Sequence, residues 1–536
     1  MFRRDVLRGL PAWMGPLLAS GGVAAQGRTD RLVIVMEAIQ NSLDPHGLAV
    51  SEATRSLAWM TSDRLVGFGL KEAPGGGAVY DVRRIAPELA ERWSVAANGL
   101  SITLTLREGA LFHDGTPVTA ADVKWSLDRA VSNAGAAAQL RVGGLERPEQ
   151  FVVIDPLTLR VDLAARNPLA LATLGLVQAS VLNAGLCRRH ATESDPWAQA
   201  WVRMNAAGGG AYRVNTWSPR TETVLVRNEA WGGGRLPAFK QVVLREAPSA
   251  GNRRAMLLQG DADLTPDLPV RDVAALSQAP NLAASNTPTP NTMYALGMNT
   301  KRPPFNDVRV RQAIAAAIPY QAILDTALLG RGRKLWGGPD PLPQGRDGLA
   351  WPLAFPTRTD PERARALLLA ADVDSGLEIT LSYDLATASI DEPVALLVQE
   401  ALKAVNVTVA IDRRPAGTMP ALVGRQELGL YLFQYGTWFD QVESIFEPLY
   451  GSSTDATSNG AAYRNPEMDR LIAAARDGAD DQARDAARRR MIEMAIRDIP
   501  YAPIVQPYPT VVTQRSVKGF VTMQRRQVDA RTLRRG

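Results

Sequence analysis

The stretch at residues 87–130, PELAERWSVAANGLSITLTLREGALFHDGTPVTAADVKWSLDRA, constrains the fold more than any other part of the chain. Asn98-Gly99 supplies two residues that tolerate positive φ. The run after them alternates, with Ile102, Leu104 and Leu106 on one side and Ser101, Thr103, Thr105 and Arg107 on the other. That pattern is a β-hairpin with one buried face. A second tight turn, His113-Asp114-Gly115-Thr116, precedes Pro117. Thr119 then stands where it caps a helix, with Asp122 at the third helical position, where its charge also suits the dipole. Val123, Leu127 and Ala130 fall on one stripe of that helix.

A length of 536 residues exceeds what one compact core serves and implies two or three substructures. The net charge of +5 is small for this length, and the basic residues are dispersed, so the composition carries no nucleic-acid footprint. The exception is the tail QRRQVDARTLRRG, whose arginines are expected to belong to a frayed, solvated terminus. Residues 1–25 read as a signal peptide, with a basic start, a short apolar middle and small residues at Val23 and Ala25. Arg3-Arg4 followed by Val6-Leu7-Arg8 resembles a twin-arginine export signal, a Sec signal that begins with two arginines being the alternative. No other stretch has the roughly 18 uninterrupted apolar residues of a membrane span. Cys187 is the one cysteine, so neither a lipid-anchored N-terminal cysteine nor an internal disulfide is available.

Along the chain, Arg31-Leu-Val-Ile-Val-Met36 reads as a buried strand leading to Leu43-Asp44-Pro45. Residues 151–154 and 158–163 read as a strand pair. Gly208-Gly-Gly210 lacks the Lys-Ser/Thr and adjoining helix start of a phosphate loop. Asp261 and Asp263, two apart after a short helix, read as turn chemistry rather than paired catalytic carboxylates. A proline-rich crossing at residues 286–290 suits a hinge strand. Beyond it, Asp307 caps a helix bearing Val310, Ile314 and Ile318, and a second helix over 321–329 stops at Gly330. The strands at 377–383 and 407–411, with a helix at 392–405 between them, predict a parallel β-α-β unit. Further strands are expected at 428–434 and 502–513.

The hairpin, FHDG turn and capped helix of 87–130, together with PPFNDVRVRQA at 303–313, resemble the signature blocks of the family 5 extracellular solute-binding proteins, periplasmic receptors of ABC importers for peptides and nickel. The resemblance runs over about residues 31–520. It implies an α/β, two-lobed periplasmic binding protein fold, type II-like with an extra subdomain, and a ligand cleft between the lobes. The expected division is a first lobe at 26–285 with an inserted subdomain at about 61–200, a second lobe at 286–499, and a return strand with a basic tail at 500–536. The implied function is the substrate-binding component of an importer, with a small-molecule solute, peptide or related, and an inner-membrane ABC permease complex as partners. A periplasmic monomer that needs no cofactor and makes no nucleic-acid contact is expected. A nickel or metal-chelate binder of the same family and a secreted hydrolase are the alternatives.

In the family the segment corresponding to Gln434-Tyr435-Gly436-Thr437-Trp438-Phe439-Asp440 lines the cleft. Peptide-binding members carry there an aspartate that holds the ligand ammonium, shortly before an Asp-Pro pair. Here Trp438 stands at that aspartate and Gln441-Val442 at the Asp-Pro pair, with Asp440 a substitute if the register differs by two. A buried ammonium without a counter-charge is strongly penalised, so Trp438 and Tyr435 favour an apolar or cationic group stacked on a ring face. The candidate ligand-binding residues are therefore Trp438, Tyr435, Thr437 and Asp440, with Trp336 on the same argument and His46 after the Leu-Asp-Pro segment. Lobe core is the competing role for the aromatics. His46, His113 and His190 form no spaced metal pair, and His113 is expected to make a structural hydrogen bond in its turn. Cys187 with His190 lacks a recognised nucleophile context, and no catalytic residue is assigned.

Overall fold

The structure, a computed structural model, describes residues 30–536 except 49, 74–75, 338–348, 350–351, 354, 374–375, 453–458 and 524–525. The expected signal peptide at 1–25 lies outside the described residues. Arg31–Met36 runs through the middle of a seven-stranded sheet, parallel to Gln241–Glu246 and to Leu264–Thr265. Leu32, Ile34 and Val35 are all fully buried, so both faces of this strand are covered, and its sequence shows no alternation. Glu222–Arg227 and Tyr212–Ser218 extend the sheet on one side, Val512–Gln514 and Leu282–Ala284 on the other. These strands form the first lobe.

The 87–130 block folds as the spacing predicts. Ala90–Val95 and Ser101–Leu106 pair antiparallel about Gly99 at φ 70°, and Thr158–Asp162 and Phe151–Asp155 complete a four-stranded sheet. Ile102, Leu104 and Leu106 face the helix Ala120–Ser132 within one apolar cluster. Thr119 accepts from the Asp122 amide, and Asp122 accepts in return from the Thr119 amide at 3.0 Å, a complete capping box. His113 bonds the Gly210 carbonyl through Nε2 at 3.0 Å. The triple glycine permits that approach. A Cβ on Gly209 would lie 2.8 Å from the Leu111 carbonyl oxygen, and one on Gly210 would lie 2.6 Å from the Ser62 nitrogen.

A six-stranded sheet forms the second lobe, in the order Gly332–Lys334, Tyr501–Pro507, Thr292–Met298, Leu430–Gly436, Leu377–Asp384, Val407–Arg414. The last two run parallel with Leu377 opposite Val407, joined by the helix Ala388–Lys403. Asp307 caps Val308–Ala317 by accepting from the Arg309 amide at 2.8 Å. Two expectations are revised. The helix over 321–329 is a single α-turn, Tyr320–Ala322, followed by a π-turn, Ile323–Ala327. The strand at 502–513 is two strands, Tyr501–Pro507 in the second sheet and Val512–Gln514 in the first. Pro507 and Pro509 remove amide donors from the stretch between them.

The C-terminal tail is not the frayed end its arginines suggested. Val528, Ala530 and Leu533 are buried in the first lobe's apolar cluster. Arg531 pairs with Asp529 at 2.7 Å and Arg535 with Asp263 at 2.6 Å. The apolar residues between the arginines seat the segment, and the charges find partners on the lobe.

The chain crosses between the sheets at 285–291 and returns at 508–511. The crossings are tied together by Ser285 N–H to Val511 O (3.0 Å) and Thr289 N–H to Pro507 O (2.9 Å). Arg331, from the second lobe, binds both: its Nη2 donates to Ser285 O (2.6 Å) and Pro509 O (2.9 Å), its Nη1 to Asn286 Oδ1 (3.3 Å).

Within the first lobe, Arg129 on the helix Ala120–Ser132 holds Asp44 through two hydrogen bonds of 2.8 and 2.6 Å. Its Nη1 also donates to His46 Nδ1 at 3.0 Å, so the His46 proton sits on Nε2 and is given to the Ser180 carbonyl at 3.1 Å. Burial and then the Arg129 charge lower the His46 pKa to about 3. Asp63 is shifted the other way, to about 6, by burial and the Glu88 charge.

Two outcomes are expected. Arg331→Met leaves buried carbonyls of both crossings without their charged donor and should lower unfolding stability by about 2–3 kcal/mol, read as a shift of the urea midpoint; an unchanged midpoint would contradict the assignment. His46 takes a proton below about pH 6.5 when unfolded but only near 3 when folded, so the unfolded state binds more protons and stability falls as pH drops through that window. Asp63 opposes this between 3.8 and about 6, where the folded state holds the extra proton and stability falls as pH rises. His46→Asn should therefore flatten the decline of the midpoint between pH 6.5 and about 4 relative to the parent; parallel profiles would contradict a neutral buried His46.

Candidate functional site

The strand Leu430–Gly436 ends beside Thr292, the first residue of the strand that follows the crossing at 285–291. The loop that leaves it is tied to that crossing, with the Thr437 amide donating to Asn291 O (3.0 Å) and Asn291 Nδ2 donating to Trp438 O (3.3 Å). Thr437 Oγ1 accepts from the Phe439 amide at 3.4 Å and tightens the turn. The next three residues reach the first lobe. Trp438 meets Trp59 of the helix Glu52–Thr61 with ring centroids 6.0 Å apart. Phe439 is buried among Trp59, Phe68, Val82, Leu176 and Met523. Asp440 Oδ2 lies 3.0 Å from Arg83 Nη2 and 3.9 Å from Lys71 Nζ. Lys71 and Arg83 belong to the paired strands Val66–Glu72 and Ala78–Pro87.

Trp438, Thr437 and Asp440 are thus brought together where the lobes meet. Tyr435 packs half-buried against the second lobe's own cluster around Met293 and Phe446. Trp336 stacks on Tyr320 at 5.3 Å with Lys334 Nζ 5.7 Å from its ring, contacts that lie within the second lobe. His46 has no exposed surface and both ring nitrogens are engaged in the Arg129 and Ser180 contacts, so it does not face a cleft. The first-lobe half of the junction, Trp59, Phe68, Lys71, Tyr80 and Arg83, was not singled out from sequence. The one available signal was the density of aromatics at Trp59, Phe68 and Tyr80, and half-buried core strands carry the same signal.

The charges at the junction balance. Asp81 lies 3.6 Å from Lys71 and 3.9 Å from Arg83, so two carboxylates face two cations and Asp440 is already matched by the protein. The uncharged surface is aromatic, and Trp59 stacks on Tyr80 at 5.7 Å with the rings 9° from parallel. Such a site can grip a ring or an apolar body between faces and offers polar contacts at its edge. Cys187 is fully buried with its thiol pushed up to about 12 by that burial, and His190 stacks on Trp201 at 4.3 Å, so the two do not form a nucleophile and base. Among the described residues no group of three or more histidine, cysteine or acidic side chains is gathered that could hold a metal ion.

The fold has counterparts. The chain is 27% identical over 501 residues to the probable D,D-dipeptide-binding periplasmic protein DdpA of Escherichia coli (strain K12), covering 92% of this chain and 91% of that one. It is 27% identical over 448 residues to the glutathione-binding protein GsiB of Salmonella typhimurium, covering 81% and 83%. The periplasmic binding protein DppA of Helicobacter pylori, solved in complex with the peptide STSA, superposes with a TM-score of 0.77 at 21% identity, over 96% of this chain and 100% of that one. Residues 84–457 match the family model described as bacterial extracellular solute-binding proteins, family 5 Middle. The chain belongs to the family 5 bacterial extracellular solute-binding proteins.

Proposed function

We propose that this protein is the substrate-binding component of an ABC importer, which takes up a peptide or similarly small amphipathic solute between its lobes and releases it intact to an inner-membrane permease. The observation that carries the reading is the loop at 437–440, which belongs to the second lobe but seats Trp438 and Phe439 on the first. A relative named for dipeptides and one named for glutathione support a peptide-like solute. Trp438 and Asp440 are the proposed contact residues, with Thr437 holding the turn. Asp440 is already paired with Arg83, so a solute ammonium binds it only by displacing that guanidinium; solutes that present a ring or an apolar side chain to Trp438 are favoured. The protein acts in the periplasm as a monomer, exported by the twin-arginine route.

Native mass spectrometry of protein purified from its source should show a bound small molecule that is recovered chemically unchanged. Trp438→Ala should weaken binding of that molecule by about tenfold. Arg83→Ala should leave Asp440 free and improve binding of amine-bearing analogues relative to their N-acetylated forms. Affinity unaltered in Trp438→Ala would remove this loop from the site, and recovery of cleavage products in place of the intact solute would favour the hydrolase reading.

A further inference from the structure

We propose that the first lobe carries a second ligand site, which shares the Trp59, Phe68 and Tyr80 wall with the lobe junction but opens toward the 231–238 loop and the C-terminal tail, and that takes an amphipathic organic anion with a flat apolar body. A cavity of about 550 Å³ opens between the hairpin formed by Val66–Glu72 and Ala78–Pro87, the 231–238 loop and the tail at 531–534. That volume lies in the range of small-molecule sites. All its lining comes from these segments, Trp59 and Glu88, none from the second lobe.

The walls are set before any ligand arrives. Four aromatic rings line the cavity, those of Trp59, Phe68, Tyr80 and Trp231. Trp59 Nε1 donates to Gln527 Oε1 (3.0 Å), the Tyr80 hydroxyl to Asp529 Oδ2 (2.7 Å) and Trp231 Nε1 to Asp63 Oδ1 (2.8 Å). Trp59 is 1% exposed and serves as the backing of the wall, while the half-buried Tyr80 and Trp231, with their polar atoms satisfied, offer apolar ring surface, and little ordering cost remains to oppose binding. Leu70 and Leu236 also line the cavity and are 44% and 39% exposed, so the lobe leaves apolar surface uncovered here.

Charge selects the class of occupant. Behind the wall Asp63, Glu88 and Asp529 face Arg64 and Arg531, and of these only Glu88 and Arg531 line the cavity. Glu88 is held by Arg64 at 2.8 Å and lies 3.7 Å from Arg531, which itself pairs with Asp529 at 2.7 Å. The remaining charged lining residues, Arg235 and Arg534, are exposed and form no ion pair among the described residues. The group behind the wall has one carboxylate more than it has guanidiniums, and the two unpaired rim arginines outweigh it, so the mouth of the aromatic pocket is positive and suits a sulfonate, carboxylate or phosphate attached to an apolar ring system.

The probe is 8-anilinonaphthalene-1-sulfonate, with N-phenyl-1-naphthylamine as the same body lacking the acid group. The anion should bind saturably at one equivalent, with hydrogen-exchange protection at 231–238 and 531–534, the parts of the lining that the lobe junction does not share. Its affinity should fall about tenfold in the surface double variant Arg235→Glu/Arg534→Glu, and the uncharged analogue should bind about tenfold more weakly than the anion to the parent. Absence of saturable binding, equal affinity in the double variant, equal affinity of the two probes, or protection confined to 437–440 would each overturn the proposal.

Discussion

The chain passes between its two sheets twice, and the two passages are hydrogen-bonded to each other and gripped by one guanidinium, that of Arg331. A paired ribbon of this kind bends more readily than it stretches, so the motion it permits is rotation of one lobe on the other. The same constraint decides which residues meet across the gap. Thr292, the first residue of its strand beyond the crossing, lies opposite Gly436, so the loop that continues from Gly436 is carried to the ribbon's edge and onto the facing lobe. The position of the junction follows from strand pairing at the crossing.

Magnitudes distinguish what holds the loop there. Full burial of a phenylalanine side chain contributes about 2 kcal/mol, and Phe439 is 1% exposed. The ion pair of Asp440 with Arg83 joins a nearly covered carboxylate to an arginine side chain that is 60% exposed, and pairs so open to water contribute between 0 and about 1 kcal/mol. Apolar packing of Trp438 and Phe439 therefore dominates what holds the loop on the first lobe, and the Lys71, Asp81, Arg83 and Asp440 group contributes orientation and charge balance. A preference of a few kcal/mol for the closed arrangement is of the size that a small solute can shift by binding one arrangement better than the other.

Local features of the fold were legible because local chemistry determines them. Asn98-Gly99, the Thr119 and Asp122 capping pair, and the β-α-β unit from Leu377 to Arg414 are written within a few residues of where they act. The tail was misread for the opposite reason. Its arginines looked solvated in isolation, but their partners Asp529, Glu88 and Asp263 include residues hundreds of positions away, and only the folded lobe brings them together. The lobe junction was half legible. Trp438 and Asp440 stand out where they depart from a family pattern. His46 was as prominent in sequence but is locked to Arg129 and Ser180, and Trp59 and Arg83 carried no local mark of the surface they would face.

The central claim is that the second lobe closes on the first through the 437–440 loop when solute is held between them. It is tested most directly by pulsed electron spin resonance between spin labels placed at Arg92 in the first lobe and Arg470 in the second; Cys187, being fully buried, stays unlabelled. Protein stripped of its solute by unfolding and refolding should give a broad distribution of separations that shortens and narrows when the solute recovered from native protein is restored. A distribution that is the same with and without that solute would contradict closure of one lobe on the other as the means of binding.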